Sequence, residues 1–157
     1  SMRMDRRVRS LSLLAIVVGL SACAPVTEAP IAVVAAVEQS AEAHGLPVAL
    51  VHKSPTCGCC GLWVDHLKEA GFPVEVRDSE DVTPVKQRLG VPYGKGSCHT
   101  AEIAGYFIEG HVPAEDIKRL LAEKPDAKGL VLPGMPMGSP GMEGPEGRVR
   151  PYTVELV

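Results

Sequence analysis

The sequence predicts an α/β domain of about 110 residues, running from Val48 to Val157. Three observations carry that expectation. A short buried-type strand, an amphipathic helix and an alternating strand follow one another from Val48 to Val76, and a strand-helix-strand unit requires a parallel pair. A second helix, a hairpin and a third helix then follow. The span is long enough for one modest core and no more.

Each element has a local reason. Val48 to His52 is a short apolar run bounded by turn residues, which reads as a buried strand. Ser54-Pro55-Thr56 turns the chain, with Thr56 as the expected N-cap of a helix from Gly58 to Ala70. Trp63, Leu67 and Ala70 line one face of that helix, Gly71 ends it and Pro73 prevents continuation. Val74-Glu75-Val76 alternates as a second strand. Thr83-Pro84 opens a short helix with proline in its first turn, and Gly90 stops it. Ala101 to Glu109 reads as a hairpin turning at Ala104-Gly105. Pro113 opens the third helix, with Ile117, Leu120 and Leu121 on its buried side, and Pro125 closes it. From Gly129 to Gly147, six glycines and four prolines fall in 19 residues, so this stretch is expected as loop. Tyr152 to Val157 alternates enough to form an edge strand.

The first 47 residues differ in character. Arg3, Arg6, Arg7 and Arg9 precede an uncharged, mostly apolar run from Leu11 to Leu20. A bilayer span needs about 20 apolar residues, so this shorter run reads as an export signal over residues 1–22. Leu20-Ser21-Ala22-Cys23 resembles the lipobox of bacterial lipoproteins, whose cysteine is acylated. That resemblance implies lipidation at Cys23 and a periplasmic protein anchored to the outer membrane by its lipid alone. The stretch that follows, rich in Ala, Val and Glu and without a clear period, reads as a tether over residues 23–47 with room for a short helix from Ile31 to Ala43. Without residues 1–22 the chain carries 12 basic and 18 acidic side chains. That balance argues against a nucleic-acid partner, which normally meets a basic face.

The chemistry concentrates in Cys57-Gly58-Cys59-Cys60 and Cys98-His99. Three thiols within four residues are hard to explain by packing, because a single turn directs at most one of them inward. Two chemistries use such a cluster. Thiolates bind soft metals, or two of them form a reversible disulfide. Cys57 lies where a strand gives way to a helix, whose N-terminal dipole and free amides stabilise a thiolate. Cys57 and Cys60 have the spacing of a redox pair. Cys59 is surplus to a dithiol exchanger but useful to a metal site, since thiolates can bridge several ions. In a strand-helix-strand core the loop carrying Cys98 approaches the first helix, so Cys98 is expected to face Cys57 and Cys60.

These residues carry a family resemblance. Ser54 to Cys60, Ser97-Cys98-His99-Thr100-Ala101, Gly105-Tyr106 to Ala114, and Gly134-Met135-Pro136 to Gly141-Met142-Glu143 are together similar to the CopG-type family of exported bacterial copper-resistance proteins. The resemblance spans Val48 to Gly144. It implies a thioredoxin-like core and a Cu(I)-thiolate site built from Cys57, Cys59, Cys60 and Cys98.

Other ligand candidates follow from residue chemistry. Met135, Met137 and Met142 fall within eight residues of the glycine-proline stretch. Thioether is a soft donor that suits Cu(I) without deprotonation; the competing account is adaptable packing filler. Met135 and Met137 are favoured as nearest the folded body. His99 is the leading histidine, whereas His111, at a turn before a helix, reads as structural. The leading expectation is therefore a copper-binding protein of the cell envelope, serving sequestration, transfer to other envelope copper-handling proteins, or redox interconversion. A thiol-disulfide oxidoreductase using Cys57 and Cys60 is the second, and a structural disulfide to Cys98 the third. Zinc would accept four sulfurs but leaves the methionines unexplained. No phosphate-binding loop, zinc-protease motif or serine nucleophile elbow competes.

Overall fold

The computed structural model describes residues 45–157. The leader, the acylation position Cys23 and the helix expected over residues 31–43 lie outside the described residues. Packing reaches back to Leu46, which lies against the core.

Six strands form one mixed sheet: β1 (Ala49–Lys53), β2 (Val74–Asp78), β3 (Thr100–Ile103), β4 (Tyr106–Glu109), β5 (Gly129–Val131) and β6 (Glu155–Leu156). Their order is β2-β1-β3-β4-β5-β6. β1 runs parallel to β2 and antiparallel to β3, β3 antiparallel to β4, β4 parallel to β5, and β5 antiparallel to β6. The described residues also form three α-helices: α1 (Gly58–Glu69), α2 (Thr83–Leu89) and α3 (Ala114–Glu123). Among the described residues no helix is long and apolar enough to cross a membrane.

Helix α1 buries Cys60, Trp63, Val64 and Leu67, a stripe at the i, i+3, i+4, i+7 spacing of one helical face. Cys57, and not Thr56, is its N-cap residue. The Thr56 hydroxyl instead lies 3.1 Å from that of Ser54, within the turn. At the other end the Phe72 N–H reaches the Leu67 carbonyl across Gly71, which takes φ +96°. Helix α3 sends Ile117 and Leu120 into the same core, where they meet Val51 of β1, Ile103 of β3 and Ile108 of β4. The hairpin turns at Ala104 and Gly105, both with positive φ, as a two-residue turn between right-twisted strands demands.

The stretch expected as loop from Gly129 contains β5. Gly129, Leu130 and Val131 are all buried and pair with Phe107, Ile108 and Glu109 of β4. Three residues between a glycine and a proline-rich run carry almost no periodicity of their own; pairing with a central strand makes them a strand. The predicted edge strand is two residues long.

His52 pairs with Thr100, Thr100 with Glu109, and Glu109 with Val131. The end of β1, the start of β3, the end of β4 and the end of β5 therefore meet at one edge of the sheet. The segments bearing Cys57–Cys60, Cys98-His99, His111 and the methionine loop all leave from that edge.

Candidate metal centre

At this edge the sulfurs of Cys57, Cys59, Cys60 and Cys98 all lie within 4.8 Å of one another. Cys57 and Cys60 form a disulfide with their α-carbons 5.3 Å apart, and Cys59 and Cys98 are free. Cys59 Sγ stands 3.6 Å from Cys57 Sγ. Cys60 is fully buried, whereas Cys57, Cys59 and Cys98 are half-buried. The cluster thus has a buried floor and an accessible rim.

A second group overlaps the first through Cys98. Cys98 Sγ lies 3.3 Å from His99 Nδ1 and 3.1 Å from His111 Nε2, and the three donor atoms fall within the same 4.8 Å limit. His111 Nδ1 donates to the Pro140 carbonyl at 2.7 Å. That bond leaves Nε2 unprotonated and aimed at Cys98, the arrangement that orients ligating histidines. His99 is fully buried, its ring 4.3 Å from that of Trp63 and edge-on to His111 at 4.9 Å between centroids. Among the described residues its Nε2 has no hydrogen-bond partner. Trp63 does more than fill the helix stripe, since its indole N–H donates to the Val112 carbonyl at 2.8 Å and fixes the plane on which His99 rests.

The electrostatics favour neutral groups here. Burial, with smaller contributions from His111 and Lys86, pushes His99 down to about 3. Burial also lowers His111, against the opposing pull of the Pro140 carbonyl. Burial raises the Cys98 thiol to about 11, partly offset by the Ser97 hydroxyl. Both imidazoles are therefore free bases near neutral pH, ready to donate a lone pair. Cys98 keeps its proton until a cation displaces it.

The methionines gather separately. Met135, Met137 and Met142 line one open pocket with Gly141, Glu143 and Arg150, and Met135 is 50% exposed. Gly141 brings this loop against the start of α1. A Cβ there would stand 2.8 Å from the Cys59 carbonyl oxygen, 2.9 Å from Trp63 N and 3.3 Å from His111 Nδ1. The residue also sits at φ +81°, so both space and conformation call for glycine.

Of the residues singled out from sequence, Cys57, Cys59, Cys60, Cys98 and His99 come together. Met135 and Met137 line the neighbouring pocket. His111, read as structural, instead points its free nitrogen at Cys98. The pull of Pro140 on the far side of its ring has no sequence signal, although Gly110-His111-Val112-Pro113 was among the family-like motifs. Sequence reasoning also missed the buried Glu109, which accepts the Ser97 N–H beside Cys98.

Residues 95–142 match a family model described as a protein of unknown function, DUF411. That span includes Cys98, His99, His111 and all three loop methionines. Two solved structures of a copper resistance protein, CopG forms 1 and 2, are each 49% identical to the chain. They cover 71% and 70% of this chain and 87% of their own chains, with TM-scores of 0.66 and 0.67. No curated protein matches the sequence.

Proposed function

Since this chain belongs to the CopG-type family of copper resistance proteins, we propose that it is a copper-binding protein of the cell envelope that holds Cu(I) through Cys57, Cys59, Cys60 and Cys98. The observation that carries this reading is the convergence of four sulfurs from two distant segments within 4.8 Å of one another. Soft sulfur donors select soft cations, and Cu(I) is the softest of the common biological choices. Reduction of the Cys57–Cys60 disulfide comes first, because a disulfide sulfur is not a thiolate. An external dithiol supplies the two electrons and two protons that open it, and each of the four thiols then releases its proton to solvent as its sulfur takes a share of the metal. His99 and His111 supply nitrogen donors beside Cys98, and Met135 and Met137 supply thioethers from the adjoining loop.

We read the framework as a thioredoxin-like core, β1-α1-β2-α2-β3-β4-α3, extended by β5, β6 and the methionine loop. The sheet order β2-β1-β3-β4 and the cysteine pair at the start of α1 support that reading. Export through residues 1–22 and anchorage through acylated Cys23 belong to the same proposal, as does exchange of copper with other envelope proteins for resistance or homeostasis.

The test is titration of the reduced protein with Cu(I) against a competing chelator. Retention of copper against the chelator, lost when Cys57, Cys59, Cys60 and Cys98 are replaced by serine, supports the proposal. Surrender of all copper to the chelator sinks it. A thiol-disulfide oxidoreductase remains the second reading, favoured specifically by the bonded Cys57–Cys60 pair with its half-buried Cys57.

A further inference from the structure

We propose that Glu109 is a positioning residue that fixes the thiol of Cys98 in the metal centre, an inference that rests on the copper-binding reading above. Glu109 closes β4 and is fully buried. A carboxylate so placed needs partners, and it has three. Thr100, its register partner on β3, donates a hydroxyl to Oε2 at 2.6 Å. The Ser97 backbone N–H donates to Oε1 at 2.7 Å. Lys86 of α2 forms an ion pair with the same Oε1 and also donates to Thr100 Oγ1 at 2.8 Å.

A buried ion pair is a poor stabilising device, since desolvation offsets most of its attraction. Ser97 is half-buried and its N–H could be served by water. The fold instead directs a buried carboxylate onto it. The consequence is geometric: on one side of Cys98, Ser97 is tied to Glu109, and on the other the His99 carbonyl accepts the Gly110 N–H at 3.1 Å. Ser97 Oγ adds a bond to the Gly134 carbonyl at 2.5 Å. Gly110 permits the fit, because a Cβ there would stand 2.7 Å from that of Ser97. Cys98 is held at both neighbours while its sulfur stays at the rim. Glu109 touches none of the metal-donor atoms named above and acts only through the backbone beside one of them.

The experiment uses the reduced, metal-free protein and its Glu109→Gln variant. Glutamine keeps the shape but offers one acceptor oxygen where three donors converge. Iodoacetamide alkylation at each cysteine is followed by mass spectrometry, and Cu(I) affinity is measured by chelator competition. We expect the Cys98 alkylation rate to rise about tenfold, reflecting local opening of its loop, with Cys57, Cys59 and Cys60 unchanged. Copper affinity should fall by about tenfold or more, as for other groups that orient a ligand. If Glu109→Gln does not fold, Lys86→Met combined with Glu109→Leu removes the clamp without leaving an orphan charge, and the same Cys98-specific change is expected. An unchanged Cys98 rate, or an equal rise at all four cysteines, overturns the proposal. Should the wild type surrender its copper while Glu109→Gln still accelerates Cys98 alone, the copper reading falls and the positioning role stands.

Discussion

His111 Nε2 lies 3.1 Å from Cys98 Sγ across thirteen residues of sequence. The contact exists because β3 and β4 are antiparallel and paired Thr100 to Glu109, so the residues just before one strand and just after the other share an edge. The Pro140 carbonyl then fixes the ring from behind. A nitrogen donor is thereby aimed at a sulfur donor before any cation arrives.

His111→Ala should therefore weaken Cu(I) binding by about tenfold while leaving the cysteines reducible and the fold intact. Chelator competition measures the affinity and circular dichroism the fold. Unchanged affinity would mean that the imidazole is only a partner of Pro140.

Cys59→Ser separates the two chemistries of the cluster. Cys59 is free, and its sulfur lies 3.6 Å from that of Cys57 without sharing its bond. Thiol-disulfide exchange by Cys57 and Cys60 should survive the substitution, whereas copper loading should drop because a bridging sulfur is gone. Stoichiometry by metal analysis and insulin-reduction rate are the two readouts. A variant that loads copper normally but loses exchange would reverse the assignment.

The residues differ in how far sequence disclosed them. Helix α1 was legible because Trp63 and Leu67 repeat at helical spacing and Gly71 follows, and the hairpin because Ala104-Gly105 separates two strand-like runs. These are local signals. Strand β5 was not legible: Leu130 and Val131 become strand by pairing with Ile108 and Glu109, whose register the local sequence does not encode. The same holds at the site. Three cysteines are adjacent in sequence and advertise themselves, whereas His111 and Glu109 acquire their roles from neighbours 13 and 12 residues away. The N-cap shifted from Thr56 to Cys57 because the Thr56 hydroxyl is engaged with Ser54.

Acid should loosen the fold through His66. Its Nε2 accepts the Ala114 N–H at 3.0 Å, capping α3, and only the neutral ring can do so. Burial lowers its pKa below 6.5, against the opposing pull of Glu143, Glu69 and Glu115 and with a small push from Lys118. The unfolded chain thus takes up the proton at higher pH than the folded one. This contribution is complete above the unfolded value of 6.5 and is lost as pH falls through the lower, folded value. Urea midpoints should drop from neutral pH towards mildly acidic pH, and His66→Gln, which offers an amide oxygen that does not titrate, should flatten that slope. His99 and His111, also lowered by burial, keep part of it. An identical slope in the variant would remove His66 as a contributor.

Gly141→Ala should uncouple the methionine loop from the cluster. The new methyl would stand 2.8 Å from the Cys59 carbonyl oxygen and 2.9 Å from Trp63 N. Both are backbone atoms of α1, so no flexible side chain can yield. The left-handed φ adds its own penalty for alanine. Together these should cost about 1–3 kcal/mol of stability, unless the loop lifts away and relieves them. Lifting is the informative outcome, because Pro140 moves with Gly141 and His111 Nδ1 then loses its acceptor. Histidine nitrogen shifts by NMR would show the ring reorienting in the variant, together with faster oxidation of Met135, Met137 and Met142 by peroxide. If stability, imidazole shifts and oxidation rates all match the parent, the tight approach of Gly141 to α1 is not what holds this loop over the cysteines.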